Sequence, residues 1–298
     1  MTTTKTIRPR RSALYMPCAN ARALEKARIL DADCLLLDLE DAVAPDAKDM
    51  ARDQLIAALD EGGYGARERV VRVNALSTPW GADDFAALNN LPENARPDAV
   101  LAPKVSTAAE IDALTALLPP HCELWVMVET PQAIFNIEAL AARAADTPLS
   151  CFVMGTNDLA KEMQAQFVPM RAPLMTALSL ALMAARMHGL TAIDGVFNDI
   201  ADMAGFEAEC GQGMAMGFDG KTLIHPNQLA ACNRIFGPSE AEIDEARQIV
   251  AAFNAPENAG KGVLRVNGKM TELLHRDIAA RRLAIAEAIA ARDSLAWS

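Results

Sequence analysis

Glu123-Leu-Trp-Val-Met-Val-Glu-Thr-Pro131 and Cys151-Phe-Val-Met-Gly-Thr-Asn-Asp158 are the two stretches that decide the fold. Each is an apolar run ending in one acid, Glu129 or Asp158, with a helix-start signal beside it. Thr130-Pro131 puts proline at a first helical position, and Thr156 or Asn157 can cap the next helix. The unit is strand, acid, helix, read twice with the acids 158 − 129 = 29 residues apart. On successive strands of a parallel barrel, two such acids lie side by side at the C-terminal rim, where catalytic groups gather. Adjacent carboxylates repel, so the pair predicts a divalent cation: Mg²⁺, with Mn²⁺ as an alternative. The plainer reading is that each acid serves only the positive end of a helix dipole.

Working outward, the same unit recurs. A strand over 12–17 carries Tyr15 and leads into a helix over 19–30. A continuous apolar strand over 33–40 ends among the acids Asp38, Glu40 and Asp41. Arg72 lies on a third strand (69–74), Lys104 at the end of a fourth (98–105) and Asp194 at the end of a seventh (191–194). Met214 to Gly220 reads as the eighth. The charged strand-end residues 38, 72, 104, 129, 158 and 194 are separated by 34, 32, 25, 29 and 36 residues. That repeat predicts an α/β fold, a (β/α)₈ TIM barrel, over residues 1–237. Residues 238–298 fall outside it and read as a C-terminal helical extension and lid. Ser239 and Glu242 form a capping box there, and Leu274, Ile278, Ile285 and Ile289 share one helical stripe that needs a surface to lie on.

Composition bounds the function. A formal charge of −11 with no basic run argues against nucleic acid. No apolar run approaches membrane length, so no membrane role is expected. The six cysteines form no CxxC pair and lie mostly in apolar runs, which predicts buried reduced thiols in a cytoplasmic protein. His188 before Gly189 reads as a helix C-terminus, and His225 as a residue that orients a loop.

Leu37-Asp-Leu-Glu-Asp-Ala-Val43, Arg72-Val-Asn74, Pro103-Lys104, Glu129-Thr-Pro131, Gly155-Thr-Asn-Asp158, Ile193-Asp-Gly-Val-Phe197 and Lys221-Thr-Leu-Ile-His-Pro-Asn227 together resemble the citrate lyase β-subunit-like (HpcH/HpaI aldolase/citrate lyase) family, in particular its malyl-CoA/β-methylmalyl-CoA lyases. The resemblance implies a Mg²⁺ enzyme that cleaves a 3-hydroxy-3-carboxyacyl-CoA into acyl-CoA and a 2-oxo acid such as glyoxylate. Glu129 and Asp158 would be the metal ligands. Arg72 would clamp the 2-oxo acid carboxylate through its planar fork and take part in catalysis with Asp41, while Asp38, Glu40, Lys104 and Asp194 would line the substrate site or order its loops. Tyr15, Asn20 and Lys26 match positions that line the CoA channel, although Asn20 replaces a basic residue there.

The rim offers only carboxylates committed to the metal, which points to the tail for a base. In relatives a tail loop, Gly-x-x-x-Asp, supplies one to a neighbouring subunit; here it reads Gly268-Lys-Met-Thr-Glu272. Glu272 is therefore the expected catalytic base, and a homotrimer or homohexamer the expected assembly. Its longer side chain keeps open a (3S)-malyl-CoA thioesterase, which hydrolyses the same substrate in the same site. A citryl-thioester lyase subunit of the citrate lyase β type is the further alternative.

Overall fold

The computed structural model describes residues 7–295, which form two compact units. Arg10–Asn233 is the barrel; the segment from Arg234 joins the residues just before Arg10. Among the described residues no helix is long and apolar enough to cross a membrane.

Eight parallel strands close on themselves in sequence order: β1 (Ser12–Pro17), β2 (Cys34–Asp38), β3 (Glu68–Arg72), β4 (Ala99–Ala102), β5 (Glu123–Val128), β6 (Leu149–Met154), β7 (Thr191–Asp194) and β8 (Gly220–Leu223). The TIM barrel is thus present, with Ser12 opposite Lys221 where β1 meets β8. Side chains alternate along a strand, so one parity fills the barrel and the other meets the helices. The filling parity is Ala13 and Tyr15, Cys34 and Leu36, Val70, Ala99 and Leu101, Trp125 and Met127, Cys151 and Val153, and Ile193. Followed one step further towards the strand ends, the same parity reaches Asp38, Arg72 and Glu129. The apolar column therefore ends in a charged layer at the C-terminal rim.

One element is displaced from its expected place. Met214 and its neighbours are not the eighth strand but the end of a helix, Met203–Met216. Gly217 stops that helix in the left-handed region (φ 105°), its N–H donating to the carbonyls of Gly213 and Met214. The strand starts three residues later. Met-Ala-Met suits a buried helix as well as a strand, and apolarity alone does not separate them.

In the C-terminal unit the capping box is formed, with Ser239 and Glu242 closing the start of the helix Glu240–Asn254. The tail segment that reads as a loop is instead a hairpin, β9 (Val263–Val266) with β10 (Lys269–Glu272). Asn267 and Gly268 turn it with φ of 51° and 78°, both left-handed, as a type I′ turn requires. The long helix Leu273–Leu295 follows, on which Leu274 and Ile278 stay more than half exposed.

Candidate active site

The charged layer is built around Arg72. Asp38 takes its Nε–Nη2 edge in a bidentate pair, at 2.7 and 2.6 Å, and is itself oriented by the N–H groups of Glu40 and Ala42. Nη1 lies 2.8 Å from Glu40 Oε2 and 3.7 Å from Asp41 Oδ2. The Tyr15 ring supports the guanidinium from below, 4.6 Å from Cζ. Burial would depress the arginine's pKa, but Tyr15, Asp38 and Glu40 together raise it, so it stays charged. The fork expected to grip a substrate carboxylate is thus already held by Asp38. What Arg72 turns elsewhere is its Nη1 end.

Glu129 stands one residue beyond β5, with 1% of its surface exposed. It can stand there because Gly155 carries no side chain: a Cβ at that position would lie 2.4 Å from Glu129 Cβ and 2.5 Å from Oε2. Burial raises its pKa, and Lys104 opposes the shift. Asp158 comes from the first turn of the helix Thr156–Glu162. Lys104 lies between them. Its backbone N–H donates to Glu129 Oε1 at 2.6 Å, while Nζ bonds Asp158 Oδ2 and sits 3.7 Å from Glu129 Oε1. Burial pushes the Glu40 carboxyl up to about 7, with Arg72 opposing and Asp41 adding to the rise.

Counted by charge, Arg72, Lys104 and, from behind the loop, Lys48 face Asp38, Glu40, Asp41, Glu129 and Asp158, which is three cations against five carboxyl groups. The raised Glu40 and Glu129 register that imbalance along with their burial. Hard oxygen donors in excess of local positive charge suit Mg²⁺, although among the described residues no group of three or more acidic, His or Cys side chains is arranged to hold one.

Asp194 is not in this layer. It has the parity opposite to Ile193, so it points outward to the helices, where it is fully buried. Arg171 Nη1 reaches it at 2.6 Å and Lys221 Nζ at 3.1 Å; Glu209 completes the set, 2.7 Å from Lys221. Burial would raise its pKa, but Lys221 and Arg171 hold it below the ordinary value.

The remaining candidates are scattered. Asn20 caps the helix Ala21–Ala27, accepting from the N–H of Ala23, and Lys26 is an exposed residue of its last turn. Glu272 closes the hairpin in the other unit, where its N–H donates to His275 Nδ1. His225 caps a short 3₁₀ turn with Asn227 and Gln228, and all six cysteines are free and buried. Lys48 is a buried organiser that the sequence does not flag. Its ammonium donates to the carbonyls of Leu39 and Glu40 and to Asn74 Oδ1, tying the loop after β2 to the end of β3. Its partners are mostly backbone oxygens, so no residue spacing betrays it.

Residues 11–226 match the family described as HpcH/HpaI aldolase/citrate lyase. The (3S)-malyl-CoA thioesterase of Cereibacter sphaeroides is 50% identical over 283 residues, 95% of this chain and 96% of the relative. The citrate lyase subunit beta of Escherichia coli is 34% identical over 89% of each chain. Among solved structures, the CitE protein of Mycobacterium tuberculosis in complex with magnesium, acetoacetate and coenzyme A superposes with a TM-score of 0.71 at 28% identity, covering 91% of this chain and 97% of that one. A closed barrel whose inner column ends in acids and one arginine, together with matches over nearly the whole chain, places this protein in the HpcH/HpaI aldolase/citrate lyase family of carbon–carbon lyase enzymes.

Proposed function

We propose that this chain is a Mg²⁺-dependent thioesterase acting on (3S)-malyl-CoA or a close homologue, giving the free 2-hydroxy acid and CoA. The observation that carries hydrolysis over cleavage is the 50% identity, across nearly the full length of both chains, to a (3S)-malyl-CoA thioesterase. The lyase preferred from motifs alone thereby becomes the second reading. It keeps support from the family and from the intact Arg72, Glu129 and Asp158.

Glu129 and Asp158 are the proposed ligands. A divalent cation held there would supply positive charge to polarise a substrate carbonyl or hydroxyl. Arg72 presents Nη1 to a substrate carboxylate while Asp38 fixes the guanidinium plane, so orientation is set before substrate arrives. Glu40 is a rim carboxylate outside the ligand pair, and with a pKa of about 7 it is suited to accept a proton from the attacking water. Glu272 is the alternative base, brought by the C-terminal unit of a neighbouring subunit in a homotrimer or homohexamer. The exposed Leu274 and Ile278 are apolar side chains such an assembly would cover. Asn20 and Lys26 are proposed contacts to CoA, and Tyr15 acts through Arg72.

The test is to incubate the protein with (3S)-malyl-CoA and Mg²⁺ and to measure free thiol and glyoxylate separately. Hydrolysis releases thiol in step with malate and no glyoxylate. Glyoxylate with acetyl-CoA, and no thiol, would make the protein a lyase.

A further inference from the structure

We propose that Lys104 is a built-in counter-ion for Glu129 and Asp158, one that competes with the divalent cation and is released when the cation binds. This rests on those two acids being the cation's ligands. It assigns Lys104 a task beyond lining the substrate site.

The backbone shows how the residue is held. Lys104 adopts a left-handed conformation (φ 58°), which a side chain bearing a Cβ avoids unless its surroundings impose it. Its own N–H donates to Glu129 Oε1 at 2.6 Å. That bond fixes the Cα beside the acid whatever the side chain does. The ammonium has no such clamp. Its contacts are Asp158 and, at 3.7 Å, Glu129, and its side chain is 37% exposed.

Arg72 cannot play this part. Its guanidinium is buried and locked to Asp38. Among the cations around the charged layer, Arg72 and Lys48 are buried, whereas Lys104 carries its ammonium on a flexible, partly exposed stem. Lys104 also lines a cleft with Asn74, Ser77, Pro103, Val105 and the acid Glu110. Mg²⁺ demands near-ideal octahedral oxygen ligation, so an ammonium bonded to one ligand and close to the other must yield to it. Once displaced, the ammonium stands in the cleft beside the site, a point charge for an anionic portion of the substrate. The same side chain thus neutralises the acids without the metal and faces the substrate with it.

Calorimetric titration of metal-free, full-length protein with MgCl₂ tests this on the parent, Lys104→Met and Lys104→Gly. The glycine variant relieves the left-handed strain and keeps the test available should Lys104→Met fold poorly. Loss of the competing charge should tighten Mg²⁺ binding about tenfold in both variants. In chelator the melting temperature of Lys104→Met should fall below the parent's, because two acids lose a partner, and in both variants the rise on adding Mg²⁺ should be larger. Equal or weaker Mg²⁺ binding in both variants, with the parent binding normally, overturns the role of Lys104. Absence of Mg²⁺ binding in all three proteins overturns the metal site, and this inference with it.

Discussion

Two ionic clusters lie at the strand ends of one barrel, and they differ in arithmetic. Between β7–β8 and the helices, Lys221 and Arg171 meet Asp194 and Glu209, two cations with two anions, all buried or nearly so. At the inner rim of β2–β5, three cations, Arg72, Lys104 and Lys48, meet five carboxyl groups. The balanced cluster holds its central acid below the ordinary pKa, whereas the unbalanced one leaves Glu40 and Glu129 above it. Burial is shared by both, so burial alone does not mark a functional site. Uncompensated charge does, since nothing in the fold needs it and a ligand of opposite sign can satisfy it.

The comparison is broken most severely by removing one partner from the balanced side. Lys221→Met leaves Asp194 and Glu209 short of a cation in a fully buried place, and should cost about 3–5 kcal/mol in denaturant titration. Glu129→Gln on the unbalanced side should leave the metal-free fold as stable as the parent or more so, because it removes excess negative charge. If both variants lose similar stability, the contrast between the clusters fails.

Arg72→Lys keeps the charge but gives up the fork that Asp38 holds. Turnover should fall on the order of 10²–10³-fold, with the melting temperature little changed. A loss of only a few-fold would mean that the guanidinium plane does not matter to the chemistry.

Glu40 sharpens the comparison through pH. Its folded pKa, about 7, lies above its ordinary 4.5, so the native state holds the proton more tightly than the unfolded chain. The resulting stability is fully present below pH 4.5 and is lost as pH rises to about 7, up to about 3 kcal/mol in all. Denaturant titrations in chelator at pH 5 and 7.5 should show a larger fall in the parent than in Glu40→Gln, where the raised Glu129 still contributes. An equal fall in both would assign it to other groups. The smallest effect belongs to Lys48→Met, which frees the loop of Glu40, the proposed proton acceptor, without touching the ligands: a fall in kcat of about tenfold with Mg²⁺ affinity little changed.

These contrasts also show what the sequence makes legible. Asp38, Arg72 and Glu129 follow the parity of Leu36, Val70 and Met127, so their common inward face can be read from position along each strand. Asp194 obeys the same rule in reverse. A strand buried on both faces shows no polar alternation to reveal which way its last residue points, and only the placement of Ile193 inside the barrel settles it. Met214 to Gly220 misleads because a methionine-rich apolar run fits either element. The Asn267-Gly268 turn is a local hairpin signal, overshadowed by likeness to a loop in relatives. Arg171 and Lys48 act on partners 23 and 26 residues away, or on backbone oxygens, and carry no local signature.

Titrating metal-free protein with Mg²⁺ by calorimetry, in the parent beside Glu129→Gln and Asp158→Asn, tests the central claim most directly. The uncompensated carboxylates should bind one Mg²⁺ per chain in the parent and lose that binding in both variants, while each variant stays folded. Mg²⁺ binding of unchanged affinity in either folded variant would contradict the account.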